Sequence, residues 1–140
     1  MPINRRSINL MSSTGSTMNQ TSTEVKGDSY YGYTDGLQTL QVIYAAYEGR
    51  LKIQATLDLE PVETDWFDLT PSVIAGDSTF VTVGGETYVE FPNGSEISGA
   101  EAYTVQGNFT FLRVKMDRSE VGDGTTYVSY GQISSVVMST

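Results

Sequence analysis

The pair Gly84-Gly85 splits the run "STFVTVGGETYVEF" (78–91) into two β-rich halves, which predicts a tight two-residue hairpin. Two adjacent glycines supply the positive φ angles such a turn needs. Similar punctuation recurs: "PNG" (92–94) marks the next turn, and Asp123-Gly124 marks another ahead of "TTYVSYGQISSVVM". From residue 25 onward Tyr, Val, Thr, Ile and Phe are abundant, and no helix-length amphipathic pattern survives after residue 48. Closely spaced strands of this kind, about seven or eight of them, predict an all-β fold, an antiparallel β-sandwich or jelly roll.

Individual runs sharpen the expectation. "LQTLQVIYAAY" (37–47) is apolar on both parities, as for a strand covered on both faces; a short helix is the other reading. After "EGR" the stretch 50–59 alternates: Leu51, Ile53, Ala55, Leu57 and Leu59 share one parity, and Arg50, Lys52, Gln54, Thr56 and Asp58 the other. "WFDL" (66–69) reads as a short strand. Its alternation sets Trp66 and Asp68 on one side and Phe67 and Leu69 on the other, with the second pair expected to be buried.

"NFTFLRVKMD" (108–117) is irregular. Phe109 and Phe111 share a parity with Arg113 and Lys115, while Leu112, Val114 and Met116 take the other. A bulge near Phe111 explains the mismatch; alternatively Phe109 and Phe111 form an apolar patch against another subunit.

The first 24 residues differ from the rest. They hold nine Ser or Thr and scattered apolar side chains, among them Ile3, Ile8, Leu10 and Met11, without a strand or helix period. Residues 1–26 carry +2, from Arg5, Arg6 and Lys26 against Glu24, within a chain of net charge −9. The remaining residues therefore carry −11. The division expected is an extended N-terminal arm (1–24) making assembly contacts and a single sandwich domain (25–140). Ile3, Arg5, Arg6, Ile8, Leu10 and Met11 are the arm's interface candidates. Tyr30 and Tyr31 in "SYYGYTDG" join them, because tyrosine offers contact area at low entropy cost.

Composition removes much chemistry. With no histidine and no cysteine, zinc sites of the usual ligands, thiol nucleophiles, disulfides and imidazole bases are out. The acidic balance argues against nucleic acid, and no apolar run approaches the ~20 residues of a membrane helix. "MPINRRSINLMSSTG" lacks a signal-peptide apolar core, so the expected route to its destination uses no such export signal.

Asp58, Glu60, Glu63, Asp65 and Asp68 crowd around the single tryptophan, Trp66. The spacing suits a solvated connection. Calcium ligation and carboxylate catalysis compete with it, yet no EF-hand spacing is present and a carboxylate pair usually joins separate strands. Trp66 either stacks on a sugar ring or anchors the loop. No Walker loop, G-x-S-x-G or G-x-G-x-x-G occurs. No enzyme, cofactor or metal site is expected.

Taken together, "GRLKIQATLDLEP", "DWFDL" and "GNFTFLRVKM", with "RRSINLMSSTGSTMN" and "YGYTDGLQTLQV", resemble small virion structural proteins of contractile-tailed, cyanophage-like bacteriophages. More distantly, the strand, acidic loop, tryptophan and short-strand order resembles discoidin-like and carbohydrate-binding sandwiches. The first resemblance implies a non-enzymatic capsid decoration, neck, tail or baseplate component. Such a protein is made in the host cytoplasm and meets other virion proteins and copies of itself, not nucleic acid or a membrane. The second implies a glycan-binding module of a host-adhesion device, with Trp66 as the contact.

Overall fold

The structure, a computed structural model, describes residues 7–27, 30, 36–75, 79–91, 98–128 and 130–139. In chain order its strands are β1 (Ser7–Met11), β2 (Asn19–Thr21), β3 (Val25–Lys26), β4 (Leu37–Ala45), β5 (Gly49–Thr56) and β6 (Phe67–Asp68). Then come β7 (Ser72–Ala75), β8 (Phe80–Val83), β9 (Glu86–Phe91), β10 (Ser98–Gln106), β11 (Phe111–Asp117) and β12 (Gln132–Ser139). They form two antiparallel sheets. One has five strands in the order β1-β12-β4-β10-β7; the other has seven, β2-β11-β5-β9-β8, with β3 also on β11 and β6 also on β5. This is the all-β sandwich that the turn spacing predicts, with extra strands because short segments pair along the edges.

Alternation decides what lies between the sheets. Leu40, Val42 and Tyr44 of β4, Tyr103 and Val105 of β10, and Ile133, Val136 and Met138 of β12 point inward from the five-stranded sheet. Leu51, Ile53 and Ala55 of β5, Val89 and Phe91 of β9, and Leu112, Val114 and Met116 of β11 meet them from the other. Each large apolar side chain buried in this way is worth about 1.5–3 kcal/mol. The hairpin at Gly84-Gly85 forms as expected, with φ of 61° and 84°.

The expected arm is corrected from Ser7 onward. β1 pairs with β12 from Ser7↔Ser139 to Met11↔Val136, and Leu10 and Met11 lie in the core. Thr14 then donates its amide to the Ile133 carbonyl and accepts the Ile133 amide on Oγ1, each at 3.0 Å. The segment crosses to the other sheet, where β2 pairs with β11 and the Ser22 hydroxyl accepts the Val114 amide. Its isolated apolar residues are isolated because they span two sheets, not because they hang free. The domain therefore starts well before residue 25. Ile3, Arg5 and Arg6 lie outside the described residues, as do Tyr31 and the 92–94 turn.

Four further expectations change. β4 is covered on one face only: Gln38, Leu40, Val42 and Tyr44 are buried, while Leu37, Gln41 and Ile43 are exposed. β5 ends at Thr56, whose Oγ1 accepts the Asp58 amide at 3.2 Å and turns the chain, so Leu57 and Leu59 are exposed. Phe67 keeps its inward parity opposite Ala55 but lies at the open rim, edge-on to Phe109 and 42% exposed. Leu69 is half-buried against the core.

The β5–β11 ladder runs from Phe111↔Thr56 to Asp117↔Arg50 without a bulge. Phe109 instead precedes the strand. Gly107, at φ 151°, lets the Phe109 ring fold beneath it, where a Cβ would stand 2.4 Å from the ring. Phe109 is thereby buried and is removed as an interface residue.

Candidate functional site

The two outer faces of the sandwich differ in charge, and that difference organises the candidate sites. On the seven-stranded sheet Arg50, Lys52 and Gln54 of β5 lie beside Asp117, Lys115 and Arg113 of β11, and Arg50 also faces Glu90 of β9. Lys26 of β3 pairs with Phe111 on the same side. Every described basic residue except the buried Arg118 is on this face. Most are matched: Arg50 with Glu90 at 3.1 Å, Lys52 with Glu86, and Arg113 with Glu63 at 2.8 Å.

Arg113 is the hub. Its Nε donates to Gln54 Oε1 at 2.8 Å, and Nη1 and Nη2 donate to the two Glu63 oxygens at 3.1 and 2.8 Å. Gln54 passes the chain on to Asp68 Oδ1, and Asp68 Oδ2 accepts the Thr87 amide at 3.0 Å. This polar row ties β11, β5, β6 and β9 together. The guanidinium also lies 4.3 Å from the centre of the Trp66 ring. Hydrogen bonds from Arg113 hold the Glu63 carboxyl below the usual carboxylate range, despite an opposing push from desolvation.

Beside this row is an open cleft of about 380 Å³ lined by Ser22, Thr23, Glu24, Pro61, Val62, Glu63, Trp66 and Arg113. Its wall is aromatic and its rim carries hydroxyls and carboxylates. Three of the five N–H groups of Arg113 are engaged and its charge is paired with Glu63, while Glu24 adds a second carboxylate, so the cleft suits a neutral polyhydroxyl or cationic ligand better than an anion. Trp66 is half-buried here. The acidic loop does not converge on one point. Glu63 and Asp68 face this row, whereas Asp65 accepts the Val62 amide and raises the pKa of the neighbouring Asp58. No group of three acids is placed to hold a metal ion among the described residues.

The five-stranded sheet presents the opposite surface. Leu37, Thr39, Gln41 and Ile43 of β4, with Ala100, Ala102 and Thr104 of β10, line its outer face. Val137 of β12 and Ile74 of β7 extend it. Its single charged residue, Glu101, points inward, 2% exposed, and accepts hydrogen bonds from Tyr44 and Tyr103 at 3.2 and 3.1 Å.

The interface candidates scatter. Leu10, Met11 and Phe109 are in the core, and Ile8 is half-buried on β1. Tyr30 and Phe111 do meet, with ring centres 5.5 Å apart, and Lys26 lies 4.4 Å from the Tyr30 ring. Arg113 and the open β4 face were not singled out from sequence. The signal for the second was present, since 37–47 is apolar on both parities. Among the described residues no helix is long and apolar enough to cross a membrane. Compared with known proteins, the chain matches no family model, and no curated sequence is similar to it.

Proposed function

We propose that this chain is a non-enzymatic structural component of a tailed-phage virion, a capsid decoration, neck, tail or baseplate accessory protein assembled in the host cytoplasm. The observation that carries the reading is the uncharged outer face of the five-stranded sheet. In a chain of net charge −9, a broad face with exposed Leu37, Ile43 and Ile74 and no outward charge among its described residues is suited to being covered. Assembly contacts pass through this face rather than through a free arm. The test is mass spectrometry of particles purified from cells producing the phage that encodes the chain. The protein is expected at a fixed ratio to the major structural proteins, with uptake lost for Ile43→Lys. Particles lacking the wild-type chain would remove the proposal.

A second reading rests on the Trp66 cleft: a carbohydrate-binding module on an adhesion device. An indole wall beside hydroxyls and a planar guanidinium–carboxylate pair suits a sugar ring. A glycan array comparing wild type with Trp66→Ala tests it. Binding that is absent, or indifferent to the substitution, leaves this reading without support.

A further inference from the structure

We infer that the open face of the five-stranded sheet is the surface on which two copies of this chain pack against each other. The inference deepens the assembly reading above and rests on it for its biological role; the pairing itself follows from charge, pattern and area.

Charge comes first. The five strands of this sheet carry one charged side chain, the inward Glu101, whereas the seven strands of the other sheet carry nine. Each copy has a net charge of −9, so two copies repel and come together best where no carboxylate is brought face to face. A partner of opposite charge would instead be steered by acidic groups, and the described residues of this face offer none. An uncharged patch is compatible with itself across a two-fold axis, as an isologous interface requires.

Pattern comes second. β4 carries apolar side chains on both parities but is covered on one side only. Leu37, Ile43 and Ile74 are 54%, 39% and 57% exposed, among Thr39, Ala100 and Thr104. Small and β-branched side chains along the unbroken β4–β10 ladder leave a surface that another sheet can meet at the ~10 Å spacing of packed sheets. Area comes third. The five strands hold 35 residues, and at ~3.4 Å along and ~4.8 Å across each they give a face of roughly 570 Å². Two copies face to face therefore bury about 1,100 Å² in all, above the ~1,000 Å² a specific interface has to clear and at the weak end of that class.

Sedimentation velocity on the full chain tests the inference. The expected result is a dimer rather than the 15.3 kDa monomer, tightening as salt rises because screening weakens the mutual repulsion. Gln41→Glu, exposed at the centre of the face, is expected to weaken the dimer at least ~tenfold with an unchanged monomer fold by circular dichroism. Val83→Glu, on β8 of the other sheet, leaves it intact. A chain that stays monomeric at ~100 µM in high salt, or a dimer indifferent to Gln41→Glu, overturns the inference. Particles that take up a chain shown to be monomeric would leave the virion reading standing and overturn this one. A Gln41→Glu-sensitive dimer that no particle takes up would do the reverse.

Discussion

The guanidinium of Arg113 lies 4.3 Å from the ring centre of Trp66, and the same cation is held by both oxygens of Glu63. A lysine keeps the charge but loses the planar stack and the fork. Arg113→Lys is expected to destabilise the fold by about 1–2 kcal/mol in urea unfolding. Because Trp66 is the only tryptophan, its emission should also shift to the red. Unchanged emission would mean that the stack is not populated in solution.

Arg118 has the opposite problem. It is fully buried; Nη2 donates to the Gly131 carbonyl at 2.9 Å, but Nε and Nη1 have no hydrogen-bond partner among the described residues. The cation lies 4.8 Å from the Tyr47 ring, whose hydroxyl burial pushes up in pKa, with Arg118 pulling it part of the way back. Arg118→Met is therefore expected to leave stability unchanged or raise it by about 1 kcal/mol, since lost desolvation cost offsets the freed carbonyl. A loss above ~2 kcal/mol would show that the two nitrogens have partners in solution.

Gln38 sits on the inner side of β4, fully buried, and neither amide atom of its side chain has a partner among the described residues. Methionine has nearly the same shape and nothing to desolvate. Gln38→Met should stabilise by about 1–2 kcal/mol, read as a higher urea midpoint at constant m.

Two acids give stability of opposite sign with pH. Backbone amides of Thr125 and Thr126 hold Asp123 down to about 2. A depressed folded pKa contributes stability above the ordinary carboxylate value, and that stability is lost as pH falls from about 4 towards 2. Asp58 is raised, first by the charge of Asp65, so its repulsion is present at neutral pH and is relieved as acid protonates it. Carboxyl carbon titration by NMR should place the two midpoints on opposite sides of the ordinary value. Asp58→Asn should stabilise at pH 7 and Asp123→Asn destabilise; the reverse order contradicts both assignments.

Sheet architecture was legible wherever one short run carried its own signal. The 78–91 hairpin needs only two glycines between β-rich halves, and the core parity of Leu51, Ile53 and Ala55 needs only alternation. What depended on distant partners was not legible. Leu10 and Met11 look stray until β12 lies beside them, more than a hundred residues later in the chain. The strand parity of Phe109 suggests a bulge or an apolar patch, because its inward turn depends on Gly107 rather than on strand period. Arg113 gave no sign of being a hub, because Gln54 and Glu63 reach it from other segments. The doubled apolar pattern of 37–47 implies a second covering layer, which the described residues of this chain do not provide.

The position of β12 between β1 and β4 also bears on how the chain is made. On a ribosome, β1 emerges ahead of the other described strands and finds no neighbour in its own sheet until β12 follows. At about 5–20 residues per second that wait lasts roughly 6–25 seconds. Throughout it, Leu10 and Met11 have no finished core to enter. High contact order of this kind slows folding and leaves adhesive segments uncovered. A nascent chain halted before residue 132 should therefore draw chaperones and proteases that the released protein escapes.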